Sequence, residues 1–208
     1  MAHFTVLQHP LIDHKLSLLR AAETPPWLFR KTLLETAQLM SWSCFQHLRT
    51  EDCQITTPLE EMHTKCLPAL APAIISILRA GNGMADALAT ILPEAAIGHL
   101  GMERDPETHK PRAYYAKLPP QIDKRQVILV DPMLATGGSA IMAADKLRED
   151  GVSDMVFVCL VAAPEGVEAL QAAHPDMRII TAALDRQLNE NCYILPGLGD
   201  AGDRIYNT

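Results

Sequence analysis

Positive charge is in short supply in this chain: 18 Lys and Arg stand against 25 Asp and Glu, for a formal net charge of -7 over 208 residues. No Lys/Arg cluster forms a basic footprint, so nucleic acid and acidic membrane surfaces are not expected partners. Cysteine is sparse and scattered. Cys44, Cys53, Cys66, Cys159 and Cys192 are odd in number, widely spaced and lack any C-x-x-C pair, so neither a zinc site nor a disulfide framework is expected, and a reducing compartment is. The longest apolar run, Leu67 to Leu78, is broken by Pro68 and Pro72 and falls short of the ~18 residues of a membrane span. Met1-Ala2-His3-Phe4 lacks the charged and apolar regions of a secretory signal. The eight histidines show no metal spacing. Neither G-x-x-x-x-G-K-[ST] nor a strand followed by G-x-G-x-x-G occurs, and there are no repeats, low-complexity tracts or Gly/Ser linkers. These absences leave one soluble, cytoplasmic domain over 1–208.

What is present is globular in kind, with 48% hydrophobic and 21% charged residues. An N-terminal helical arm occupies about residues 1–50. Phe4–Leu7 reads as a short strand, and a first helix follows His9-Pro10. Thr24 as N-cap with Pro25 at the first helical position opens a second helix. Its stripe of Leu33, Ala37, Met40, Cys44 and Leu48 suits the core or a subunit interface. Residues 53–66 alternate around Pro58 as a hairpin. From 72 to 183 strands and helices alternate: Pro72–Leu78, Ala96–Met102, Val127–Val130, Met155–Ala162 and Arg178–Ala183 are the strands. That order predicts an α/β fold with a parallel sheet flanked by helices.

The stretch from Val127 to Ala140 carries the clearest chemistry. Four buried-strand residues end at Asp131, where Pro132 cannot extend a ladder. Ala135-Thr136-Gly137-Gly138-Ser139 then forms a small-residue loop, with Ser139 as N-cap of a helix. Backbone N–H groups and a helix N-terminus attract an anion, and the Asp131 carboxylate can hold sugar hydroxyls beside it. A ribose 5-phosphate would suit this cradle; an ordinary βα turn is the plainer alternative. Arg79, leaving the strand 72–78 into Ala80-Gly81-Asn82-Gly83, puts a cation at the carboxyl edge of the sheet, where open α/β sheets bind ligands. Glu103 to Pro120 reads as a protruding hairpin with Arg104 at its base. Tyr193 to Arg204, with three glycines, a proline and two aspartates, is expected to form neither regular helix nor strand.

Val-Asp-Pro-Met-Leu-Ala-Thr-Gly-Gly-Ser resembles the loop that binds phosphoribosyl diphosphate (PRPP) in uracil phosphoribosyltransferases. Ile77-Leu78-Arg79-Ala80-Gly81 resembles that family's pyrophosphate loop, and Tyr193 to Arg204 its uracil-binding segment. His9-Pro10-Leu11, Leu160 to Gly166 and Leu188-Asn189-Glu190 extend the likeness over almost the whole chain. The resemblance implies a phosphoribosyltransferase-type sheet, a flap at about 103–120 and an irregular C-terminal base-binding segment at about 191–208. It implies conversion of uracil and PRPP to UMP and pyrophosphate, with Mg²⁺ bound mainly through PRPP and no metal ligand on the protein. By the same resemblance Asp131, Pro132, Met133, Leu134, Ala135, Thr136, Gly137, Gly138 and Ser139 bind PRPP, residues 135–139 holding its 5-phosphate. Arg79 and Arg104 stabilise the departing diphosphate. Ile194, Gly199, Asp200 and Ala201 bind uracil, and Asp200 also meets PRPP. Asp200 and Arg104 are the catalytic candidates, Asp200 either holding metal-bound water or helping to remove the N1 proton. The family further implies a homo-oligomer and, for some members, allosteric activation by GTP. Asn82, Glu103 and Asn207 depart from the family's usual Leu, aromatic residue and Gly. Transfer to another base, or a regulator that senses PRPP without turnover, are the alternatives.

Overall fold

The computed structural model describes residues 4–104 and 111–208, with side chains described outside 103–113. A seven-strand path forms the main sheet. It comprises β1 (Phe4–Val6), β4 (Ala73–Leu78), β5 (Ala96–Arg104), β6 (Pro111–Lys117), β7 (Val127–Val130), β9 (Met155–Ala162) and β10 (Arg178–Leu184), in the order β1-β10-β9-β7-β4-β5-β6. Every pairing along it is parallel except β5 with β6. The expected parallel sheet and the antiparallel hairpin after β5 are both present; the turn at 105–110 lies outside the described residues.

All eight residues of β9 and all four of β7 are buried, as a parallel sheet covered on both faces requires. Alternation sorts their side chains into two cores. Ile74, Ile128, Val158 and Ile180 face Phe29, Leu33, Ala37 and Met40 of α2 (Pro26–Phe45). The same layer includes α1 (Pro10–Arg20), α3 (Asn82–Ile91) and α6 (Ala201–Tyr206). Ile75, Leu129, Phe157 and Ile179 face Ala143 and Leu147 of α4 (Gly138–Glu149) and Leu170 of α5 (Pro164–Ala173). The stripe expected on α2 is therefore core: Leu33, Ala37, Met40 and Cys44 are buried within this chain.

Several expectations need correction. The second helix starts one residue late, at Pro26, with Pro25 as N-cap; Thr24 instead donates its hydroxyl to Leu18 O at 2.6 Å. The strand pairing does not stop at Pro132. Pro132 has no N–H to donate, but its carbonyl accepts from Leu160 and Val161, and pairing with β9 resumes in β8 (Met133–Leu134). The cysteines are not all unpaired. In the hairpin of β2 (Glu51–Thr56) and β3 (Glu61–Cys66), Cys53 and Cys66 form a disulfide. Thirteen residues of separation concealed the pair; the antiparallel register places Cys53 opposite Thr64, diagonal to Cys66.

Candidate active site

Two structural turns converge at the carboxyl edge of β4 and β7, neighbours in the sheet. From β4 the chain proceeds through α3 to β5 on one side; from β7 it proceeds through α4 to β9 on the other. The strand order reverses between them, and the crevice outside that point is where open α/β sheets take ligands.

The loop after β7 is built chiefly by its own neighbours. Asp131 N–H donates to Val158 O at 3.2 Å, while Met133 N–H donates to Asp131 Oδ1 at 3.3 Å. Ser139 is not the N-cap expected of it; α4 already includes it, starting at Gly138. Gly137, in the left-handed region at φ 83°, is the N-cap, and no side chain caps the helix. The first intrahelical bond runs from Ile141 N to Gly137 O, and Gly138 N–H donates weakly to Thr136 Oγ1 at 3.5 Å, so the N–H groups of Ser139 and Ala140 are the ones left for an anion. Asp131 and residues 133–140 line a hollow of about 190 Å³. Gly166, at the start of α5, supports it from behind: a Cβ there would lie 2.4 Å from Ala135 O.

The half-buried Asp131 carboxyl is pushed up to about 7. Loss of water around it is the main cause; the Met133 N–H works the other way, and the nearby Asp200 carboxylate adds repulsion.

The loop after β4 begins with a cis peptide between Leu78 and Arg79. Arg79 is more than half exposed, its guanidinium 3.9 Å from Asp203 and 5.3 Å from the centre of the Tyr206 ring. Asn82 adds a tie of its own. Ser76 donates its hydroxyl to Asn82 Oδ1 at 2.7 Å and meets His99 Nδ1 at 2.8 Å. The Asn82 departure thus anchors the turn to β4. Arg104 ends β5, and its side chain, like that of Glu103, lies outside those described.

The C-terminal segment is more regular than its composition suggests. Ile194–Leu195 (β12) pairs with Gln187–Leu188 (β11), and Asp200 caps α6 by accepting from Asp203 N–H at 2.9 Å. Glycine content is a poor guide here because Gly197 and Gly199 fall in the turn before α6, while Gly202 sits within the helix. Gly197 and Gly199 have φ of 62° and 78°, and Leu195–Pro196 is cis. Asn207 ends the helix at φ 60°, a conformation Asn tolerates nearly as Gly does.

Arg20 and Asp185, which no local pattern marks, hold this turn. Arg20 donates to both Asp185 oxygens, at 2.8 and 2.6 Å, and to Gly197 O at 2.7 Å. Gly197 N–H returns a bond to Asp185 Oδ2 at 2.8 Å. Arg204 donates to the carbonyls of Leu19, Leu198 and Ala21 and lies 4.5 Å over the Phe29 ring.

Arg79, Asp131, Met133, Ala135, Ser139, Ile194, Gly199, Asp200 and Ala201 all border one cleft of about 560 Å³. Pro132, Leu134, Thr136, Gly137 and Gly138 are not on its wall; all but Pro132 line the adjoining hollow. Asn191, Cys192 and Tyr193, inside the expected base-binding segment but not singled out within it, also face the cleft.

A family model, uracil phosphoribosyltransferase, matches residues 6–208. The chain belongs to the uracil phosphoribosyltransferase family. It is 54% identical to the uracil phosphoribosyltransferase of Streptococcus pneumoniae (strain R6) and 52% identical to that of Enterococcus faecalis (strain V583), each over 208 residues and the full length of both chains. Among solved structures, the AQ2163 protein of Aquifex aeolicus superposes with a TM-score of 0.91 at 32% identity, over 98% of this chain and 97% of the other. The adenine phosphoribosyl transferase of Trypanosoma brucei shares the fold, with a TM-score of 0.61 at 11% identity over 96% and 89% of the two chains.

Proposed function

We propose that this chain transfers the 5-phosphoribosyl group of PRPP to uracil, giving UMP and pyrophosphate, in the cleft between β4, β7 and α6. The observation that carries the reading is the meeting of three sequence-distant segments, around Arg79, Asp131 and Asp200, on one cleft. The N–H groups at the start of α4 hold the 5-phosphate, and Asp131 accepts from ribose hydroxyls. Arg79, with Arg104, stabilises the pyrophosphate as it departs and positive charge develops at the anomeric carbon. Uracil lies against the backbone of Ile194 and Gly199–Ala201, where a fixed irregular chain can pair with both N–H and C=O edges and discriminate against an amino group.

Mg²⁺, bound mainly through PRPP, supplies neutralisation of the diphosphate charge. The residues fit such an ion. No group of three or more His, Cys, Asp and Glu is gathered for a metal among the described residues, while two carboxylates, Asp131 and Asp200, border the cleft. Mg²⁺ commonly keeps its waters and is held by one or two carboxylates plus substrate oxygens. Asp200 already accepts from Asp203 N–H through Oδ1, so Oδ2 is the oxygen available to a metal-bound water or the N1 proton.

We also infer a homo-oligomer, supported by Trp27, Trp42 and Leu59 being 62%, 84% and 95% exposed. Activation by GTP and a cytoplasmic location rest on the family resemblance alone, because the Cys53–Cys66 disulfide removes the argument from unpaired cysteines. Among the described residues, no helix is long and apolar enough to cross a membrane.

The test is UMP formation from labelled uracil with PRPP and Mg²⁺, run beside Asp200→Asn and Arg79→Ala. Turnover in the parent with a loss of ~10²-fold or more in each variant is expected. Folded protein that binds PRPP without turnover, with or without GTP, points to a regulator instead.

A further inference from the structure

Arg79 is the one cleft cation whose side chain is described, and its surroundings come from the far end of the chain. Tyr206, two residues before Thr208, donates its hydroxyl to the Arg79 carbonyl at 2.9 Å. Its ring lies 5.3 Å from the guanidinium carbon, within the range of a cation–π contact. Asp203, one turn earlier on α6, lies 3.9 Å from the same guanidinium. Asp203 is itself bound at both ends: its N–H donates to Asp200, and Thr208 donates its hydroxyl to Asp203 Oδ1 at 3.1 Å.

These contacts divide by kind. The Asp203 pair is more than half exposed on both sides, and such pairs add little energy. It is also exchangeable, because a diphosphate carries more charge than one carboxylate. The Tyr206 contacts involve the Arg79 main chain and the ring face, neither of which a diphosphate can replace. They persist while Arg79 changes its anionic partner.

We propose that Tyr206 is a positioning residue for Arg79: it fixes the root and plane of the guanidinium, with Asp203 as the resting counter-ion that the diphosphate of PRPP displaces. This rests on the reading of Arg79 as a diphosphate ligand. It also gives α6 two duties, since its N-cap Asp200 lies beside the base and its last residue supports the leaving-group cation.

The test is a double-mutant cycle between Arg79 and Tyr206, with kcat and both KM values measured and PRPP binding followed by calorimetry. Tyr206→Phe keeps the ring and should raise the PRPP KM about 2–5-fold; Tyr206→Ala should raise it about 5–30-fold. The uracil KM should stay within about 2-fold in both. In an Arg79→Ala background, Tyr206→Ala should add no more than about 2-fold. Full additivity in that background, or an effect on uracil KM instead of PRPP KM, overturns the proposal and leaves Arg79 as read. An Arg79→Ala variant with unchanged PRPP KM and kcat overturns the reading of Arg79, and this proposal with it. Because Tyr206 is 39% exposed, the Phe variant gives a folded protein on which to read the result.

Discussion

The two halves of the cleft are made in different ways. The cradle at 131–139 is assembled from consecutive residues, closed by neighbouring strands and by Gly166 of the next helix. The base-binding turn at 194–201 is held by Arg20 and Arg204, one from α1 and one from α6, both gripping main-chain carbonyls. A cradle of the first kind depends on small residues and close approach. A turn of the second kind depends on charged side chains that arrive from elsewhere. Substitutions should therefore separate the two substrates.

The largest separation is expected from Gly166→Ala. A Cβ at 166 would lie 2.4 Å from Ala135 O and 2.8 Å from Leu134 O, both backbone atoms, so the cradle must move. Displacement of this order costs about 10²-fold in a positioned reaction, and it should fall on kcat/KM for PRPP. Uracil KM measured at saturating PRPP should change little. Equal losses for both substrates would mean that the cradle and the turn move together.

Arg20→Ala addresses the other half. Asp185 is buried, and without Arg20 its carboxylate keeps only the Gly197 N–H among these bonds. Removing one partner of a buried pair costs about 3–5 kcal/mol; Arg20 is 24% exposed, which brings the expectation to about 2–4 kcal/mol in urea unfolding. Uracil KM should rise while PRPP binding in the absence of uracil stays near the parent value. A stability loss below about 1 kcal/mol would show that the turn holds itself without Arg20.

The contrast also explains what could be read from residues alone. The sheet, its two flanking layers and the phosphate loop follow from patterns contained within some fifteen consecutive positions, and β9, buried at every position, needs no long-range information. The ends of elements were less legible, because Gly137 and Ser139 both make reasonable caps until backbone torsions are known. Arg20, Asp185 and Tyr206 were illegible for a further reason. Their partners lie 165, 165 and 127 residues away, and an arginine on an amphipathic helix looks the same whether solvated or gripping a carboxylate.

A pH profile sharpens the comparison within the cradle. Asp131 is lifted to about 7, so below that pH its carboxyl is protonated and cannot accept from two ribose hydroxyls. The free-enzyme profile of kcat/KM for PRPP should fall by up to about tenfold per pH unit below 7. Stability should move in the opposite sense. The folded state keeps a proton that the unfolded chain releases from about pH 4 upward, so stability declines as pH rises from there to about 7. Asp131→Asn should flatten both dependences, with the catalytic defect retained at every pH.

The smallest effect is expected farthest from either half. Among the described residues β2 and β3 pair only with each other, and the Cys53–Cys66 bond closes that hairpin across 13 residues. A crosslink of this span restrains the unfolded chain by about 3 kcal/mol, but the restraint acts on a hairpin whose residues are mostly exposed. Reduction, or Cys53→Ser, should therefore speed proteolytic cleavage between 51 and 66 and leave kcat/KM for both substrates within about 2-fold, the usual reach of a surface change. A larger fall in activity would show that the hairpin reaches the cleft through contacts outside a single chain, and would make the disulfide a third support of the site beside Arg20 and Arg204.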